Sequence, residues 1–148
     1  VKRCEGGGGS VSARIVYTPG GAPRLGEARA FVRECAVAYL GEGSPLVDDV
    51  EIMAGEVLGN AVRYSASGWV NGSLGVMVRA SAGRLRVDVL DDGFAASVPR
   101  LESPDLESLS GRGLRMVDGL SDAWGVMTGP EPQRRVTVWF EVKTRCGE

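Results

Sequence analysis

A chain of 148 residues fits one domain with a single core, and its 17 Lys and Arg against 19 Asp and Glu leave a net charge of −2. The basic residues are scattered, which gives no footprint for a nucleic-acid backbone, and no apolar stretch approaches the ~20 residues that span a bilayer. Histidine is absent, which excludes histidine-dependent triads and histidine metal sites; the three cysteines, Cys4, Cys35 and Cys146, have no metal-ligand spacing.

In chain order, residues 1–10, with Gly6-Gly7-Gly8-Gly9-Ser10, read as a flexible N-terminal tail without a charged-then-apolar signal segment, so a cytoplasmic protein is expected. Val11, Ala13, Ile15 and Tyr17 alternate as in a strand, which Pro19-Gly20-Gly21 ends. Leu25, Ala28, Val32, Cys35 and Tyr39 then recur at three- and four-residue spacing. That predicts an amphipathic helix over residues 22–40, closed by Gly41, with Cys35 a reduced core residue.

Ser44-Pro45 opens a second helix, Ser as N-cap and Pro at the first helical position. Asp48 and Asp49 follow in the first turn, where the helix dipole favours negative charge. The expected core stripe is Leu46, Val50, Met53, Val57 and Ala61, broadened by Ala54 and Leu58, and it fades near Ser65-Ala66-Ser67-Gly68.

Leu74, Val76, Val78 and Ala80, then Leu85, Val87 and Val89, alternate on either side of Ser81-Ala82-Gly83, which reads as a hairpin. Residues 94–110 have little periodicity, and loops of that length in compact domains tend to be functional or mobile. Leu114, Met116, Val117 and Leu120 lie on a short helix, and strands over 123–128 and 136–142 finish the chain. The order β-α-α-β-β-loop-α-β-β predicts an α+β fold. We expect a two-layer α/β sandwich over residues 11–143, helices on one face of a mixed, mostly antiparallel sheet, with 144–148 a C-terminal tail.

Polar residues interrupt this pattern in a few places. Glu56 and Asn60 stand four apart on the second helix, so they share a face on the margin of its apolar stripe. Asp91-Asp92-Gly93 lies where a strand meets a loop. A carboxylate there can accept from an exocyclic amine and a glycine admits a flat ring, although Asp and Gly are also the usual residues of a strand-ending turn. Gly111-Arg112-Gly113-Leu114 opens a helix; its backbone N–H groups suit an anion and Arg112 suits a phosphate, or the stretch is a plain helix start. Thr137 in the last strand is by itself only β-propensity.

Taken in order, Glu-x-x-x-Asn on a helix, Asp-x-Gly after a strand, a loop, Gly-x-Gly-Leu opening a helix and Thr in the final strand form a set. The set resembles the GHKL (Bergerat-fold) ATP-binding family, and within it the stand-alone anti-sigma-factor serine kinases of Gram-positive bacteria. Glu56 to Ser65 resembles the N box, and Gly111-Arg112-Gly113-Leu114, Asp122-Ala123-Trp124-Gly125 and Thr137-Val138-Trp139-Phe140 resemble the later part.

The resemblance implies ATP and Mg²⁺ as cofactors. Asn60 would ligate Mg²⁺, Glu56 would act as general base or orient the nucleophile attacking the γ-phosphate, Asp91 would accept from the adenine amine, Gly93 would admit the base and Thr137 would support it through its hydroxyl or a water. Residues 94–110 would form an ATP lid hinged at Gly111 and Gly113, with Arg112 and Leu114 in the phosphate-binding stretch. A sigma factor and an anti-anti-sigma protein are the implied partners, with a homodimer also implied, and with neither nucleic acid nor membrane. Two departures stand out: the second glycine of the Asp-x-Gly-x-Gly box is Ala95, and the histidine common after the N box is Tyr64. A nucleotide-binding module acting by contact alone, with no transfer, is the main rival. A histidine-kinase ATPase fragment is another, although the chain holds no phosphoacceptor histidine.

Overall fold

Alternating apolar residues build the sheet, and the helices lie where its apolar face must be covered. The structure, a computed structural model, describes residues 2–5, 11–17, 25–65, 74–81, 83–91, 113–129 and 136–144. Its elements are β1 (Lys2–Glu5), β2 (Val11–Tyr17), α1 (Leu25–Leu40), α2 (Leu46–Ser65), β3 (Leu74–Ser81), β4 (Arg84–Asp91), α3 (Gly113–Leu120), β5 (Ala123–Thr128) and β6 (Val136–Lys143). The strands form one six-stranded sheet in the order β1-β2-β3-β4-β6-β5. The two-layer α+β sandwich is as expected.

Three details differ from the sequence reading. The sheet is not mixed: every neighbouring pair among the described strands is antiparallel. Lys2–Glu5, placed in the flexible tail, pairs along β2 from Lys2 opposite Arg14 to Glu5 opposite Val11. Its side chains show no strand period, but the unpaired backbone groups of a sheet edge accept a partner whatever its side chains. In α2 the buried stripe starts at Val47, 1% exposed, while Leu46 is only half-buried.

Local chemistry sets the helix ends. Gly41 has φ 90° and its N–H donates to the Val37 carbonyl at 2.9 Å, a left-handed C-cap. Ser44 Oγ accepts from the Leu46 N–H at 3.3 Å, so the expected N-cap with Pro45 at the first position is in place.

On the helix side the register aligns Val76 with Val89, Val78 with Val87, and Val87 in turn with Phe140. These residues are at most 3% exposed and meet Phe31 and Val32 of α1, Met53, Val57 and Leu58 of α2, and Val117 of α3 in a single core. Cys35 is half-buried and packs against that core. Helix α1 covers β2 and β3, α2 covers β4 and β6, and α3 packs on α2 and β5.

The opposite face is closed by charge. Asp88 is 4% exposed and accepts from Arg79 Nη2 at 3.1 Å and from Arg86 Nη2 at 2.9 Å. Arg86 also lies over the Trp139 ring, 4.3 Å from its centroid, so its planar cation both pairs and stacks. Trp139 can lie flat because Gly125 is beneath it: a Cβ there would stand 2.9 Å from the indole ring. Gly125→Ala should therefore cost about 1–3 kcal/mol by overpacking, read as a fall in Tm. The cost should largely vanish in a Trp139→Leu background; an equal loss in both backgrounds would show that the ring is not what the new methyl meets.

Candidate functional site

The connections fix which end of the sandwich each motif reaches. Tyr39 Oη donates to the Ser81 carbonyl at 2.6 Å, tying the end of α1 to the tip of the β3–β4 hairpin. Helix α2 starts just after α1 and so runs away from that tip. Asn60 is then about 21 Å along the axis from Leu46, at 1.5 Å per residue. Over the same direction β4 advances about 24 Å to Asp91. The later part of α2 and the end of β4 thus reach the same end of the molecule.

Pins at the opposite end complete the arrangement. The Asp122 N–H donates to the Glu141 carbonyl at 2.9 Å, and Asp122 Oδ2 accepts from the Lys143 N–H at 2.6 Å. Helix α3 therefore finishes at the far end, and its first residue, Gly113, faces the end that holds Asn60. Strand β6 starts there too, Val136 being in register with Asp91.

The Asp122-Ala123-Trp124-Gly125 stretch is structural: Asp122 makes that pin, Trp124 Nε1 donates to Asp118 Oδ1 at 2.8 Å, and Gly125 seats Trp139.

The expected site residues sort as follows. Glu56 and Asn60 are both half-buried on α2, roughly 5–6 Å apart at Cβ as i, i+4 partners. Glu56 makes no ion pair among the described residues. Asn60 Nδ2 is buried without a hydrogen-bond partner among them, a state that costs about 1–3 kcal/mol. Asp91 is the last residue of β4 and Gly113 the first of α3. The Leu114 side chain is 5% exposed in the core, so what it offers a site is its backbone N–H in the helix's first turn. Gly93, Gly111, Arg112 and residues 94–110 lie outside the described residues.

Thr137 is not brought onto the same side. It pairs with Leu90 and Met127, one step out of phase with Val138 and Phe140 on the helix side. The β6 residue in phase with Phe140 at this end is Val136, which the sequence reading passed over because valine in a strand carries no chemical signal.

The orphaned amide of Asn60 fits an oxygen-rich ligand. Its nitrogen can donate to a phosphate oxygen or water. A half-turn of the carboxamide presents its oxygen in the same place, the kind of ligand Mg²⁺ takes. Among the described residues no cluster of three or more His, Cys, Asp or Glu could hold a metal. A cation held here would draw its other ligands from phosphate and water, as Mg²⁺ commonly does. No described helix is long and apolar enough to cross a membrane.

A stability measurement checks the Asn60 assignment without any ligand. If the carboxamide serves a ligand rather than the fold, Asn60→Leu leaves Tm unchanged or raises it, because it removes a buried orphan of about 1–3 kcal/mol. A fall comparable to that of the core change Leu58→Ala would mark the side chain as structural.

Residues 20–140 match the family model described as histidine kinase-like ATPase domain, from just before α1 to Phe140 near the end of β6. Strands β1 and β2 lie outside that match. No curated protein matches the chain.

Proposed function

The chain belongs to the histidine kinase-like ATPase domain family, an ATP-binding family, and we propose that it is a regulator that sequesters a sigma factor and phosphorylates a serine of an anti-anti-sigma partner. The observation that carries the site is the meeting at one end of α2's Glu56 and Asn60, the end of β4 and the start of α3. The family match supports ATP; the kinase role, the Mg²⁺ and the partners rest on the resemblance of the motifs.

In this reading Asp91 accepts from the adenine amine, and Asn60 would hold Mg²⁺ at the phosphate end. Bound Mg²⁺ would neutralise charge on the phosphates. Glu56 accepts the proton of the partner's serine as its oxygen attacks the γ-phosphorus; the bond to the bridging oxygen breaks and ADP leaves. The new phosphate adds about −1.5 to −2 charge to the partner, enough to disrupt an interface. A homodimer and a cytoplasmic location belong to the same proposal.

Transfer and binding separate by mutation. Glu56→Gln should keep ATP affinity but lower phosphate transfer by roughly 10²–10⁴, the usual worth of a general base. Asp91→Asn should weaken ATP binding by about tenfold or more, 1.4 kcal/mol for each decade. The measurement is γ-labelled ATP incubated with proteins that copurify from the native host. Label on no partner would leave a contact-only nucleotide binder, and recovery of neither a sigma factor nor a small antagonist would sink the regulatory role.

A further inference from the structure

Resting on the nucleotide reading above, we infer that Val136, and not Thr137, is the β6 residue that meets the base, so that β6 offers the ring an aliphatic surface instead of a hydroxyl.

The argument is one of register and cover. Strand β6 alternates: Phe140 and Val142, 0% and 1% exposed, face the helices, while Trp139 lies under Arg86 on the other face. By that period Val136 and Val138 share the helix side, and Thr137 shares the Trp139 side. Thr137's register partners agree: Leu90 on β4 is out of phase with core Val89, and Met127 on β5 is exposed. A hydroxyl on that face is separated from Asn60 by the thickness of the sheet.

Cover along the helix-facing stripe of β6 then falls toward the end where Asn60 lies. Phe140 and Val142 are sealed, whereas Val138 and Val136 are only half-buried. Cover on β3 does not fall in this way, since Leu74, at the same end, is 0% exposed. Val138 still packs against the core while Val136, beyond it, does not, so the helix layer covers the β6 stripe least at Val136, beside the terminus of β4. Its surroundings are those a planar, mostly apolar ring requires: aliphatic carbon below, backbone register with Asp91 at its edge, and the Asn60 amide on the facing helix.

Apolar contact discriminates weakly between flat rings, because it reads shape and not a hydrogen-bond pattern. Base choice then falls on the carboxylate of Asp91, which accepts from the exocyclic amine of adenine and finds only a carbonyl oxygen at the corresponding place in guanine.

The test compares binding of ATP and of inorganic tripolyphosphate, each with Mg²⁺, by the full chain and three variants. Thr137→Val, isosteric and equally suited to a strand, leaves both affinities unchanged. Val136→Phe fills this least covered part of the stripe and weakens ATP by about tenfold while sparing tripolyphosphate, which has no base. Val136→Thr keeps shape and strand propensity, and weakens ATP by roughly threefold or more through a hydroxyl desolvated without a partner. If Thr137→Val weakens ATP while both Val136 variants bind normally, the inference is overturned and the nucleotide site survives. If Val136→Phe weakens both ligands and Val136→Thr weakens neither, it is likewise overturned. Failure of the unsubstituted chain to bind ATP overturns it together with the nucleotide reading.

Discussion

The buried stripe of α2 is the constraint on which the rest depends. Val47, Val50, Met53, Ala54, Val57 and Leu58 are each at most 1% exposed, and a fully buried Val, Leu or Met side chain contributes about 1.5–3 kcal/mol. Against that sum, the unpaired amide of Asn60 costs about 1–3 kcal/mol. The stripe wins by a wide margin, so it fixes the rotation of the helix and the polar residues must accept the direction they are given. Successive helical residues turn by about 100°, which puts Glu56 and Asn60 together on the margin of the stripe. Their placement is a by-product of packing, and for that reason it is rigid.

Register does for the sheet what rotation does for the helix. A strand side chain has two choices of face, and one residue decides between them. On the uncovered face the residues form a self-contained set in which Asp88 is shielded by Arg79 and Arg86, and Arg86 in turn covers Trp139. Arg79 is half exposed, so solvent screens its share of that attraction. The set's firmer contribution is to hold the alternate residues of β4 and β6 outward, which keeps Val87, Val89 and Phe140 inward. Thr137 follows Trp139 by the same rule.

What was legible in the sequence was whatever has a local period. The spacing of Ala28 and Val32, the Ser44-Pro45 cap and the alternation from Leu74 to Val89 each signal their element within a few residues, and those elements are present. Pairing between distant segments left no comparable trace. Lys2–Glu5 carries no apolar alternation because its place depends on the edge of β2. The antiparallel sense of the whole sheet depends on β6 returning beside β4 across more than forty intervening residues. The Glu56–Asn60 spacing could be read on one helix, but the side of the sheet taken by Thr137 could not, since it needs the phase of β6 relative to Phe140. Asp122 and Trp124 belong to a recognisable motif yet serve as fasteners, and motif order alone does not separate a ligand contact from a pin.

Those fasteners also explain why one end of the sandwich is suited to chemistry. At the far end Tyr39 holds the hairpin, Asp122 holds β6, and Trp124 reaches back to Asp118 on α3. Side chains there hold backbone groups and one another, although the Ser121 hydroxyl beside Asp122 is buried without a partner. At the near end the Asn60 amide has no partner and the stripe of β6 loses its cover from Phe140 to Val136. A polar orphan and half-buried valine surface are each unfavourable alone, and an aliphatic filler would cure only the second while burying the first more deeply. A ligand with a flat apolar part and a charged, oxygen-rich part relieves both at once. An orphaned polar atom alone does not mark the site, since Ser121 has one as well; what sets the near end apart is that the Asn60 orphan lies beside a β6 stripe that is only partly covered, a pairing that suits the nucleotide of an ATP-binding family.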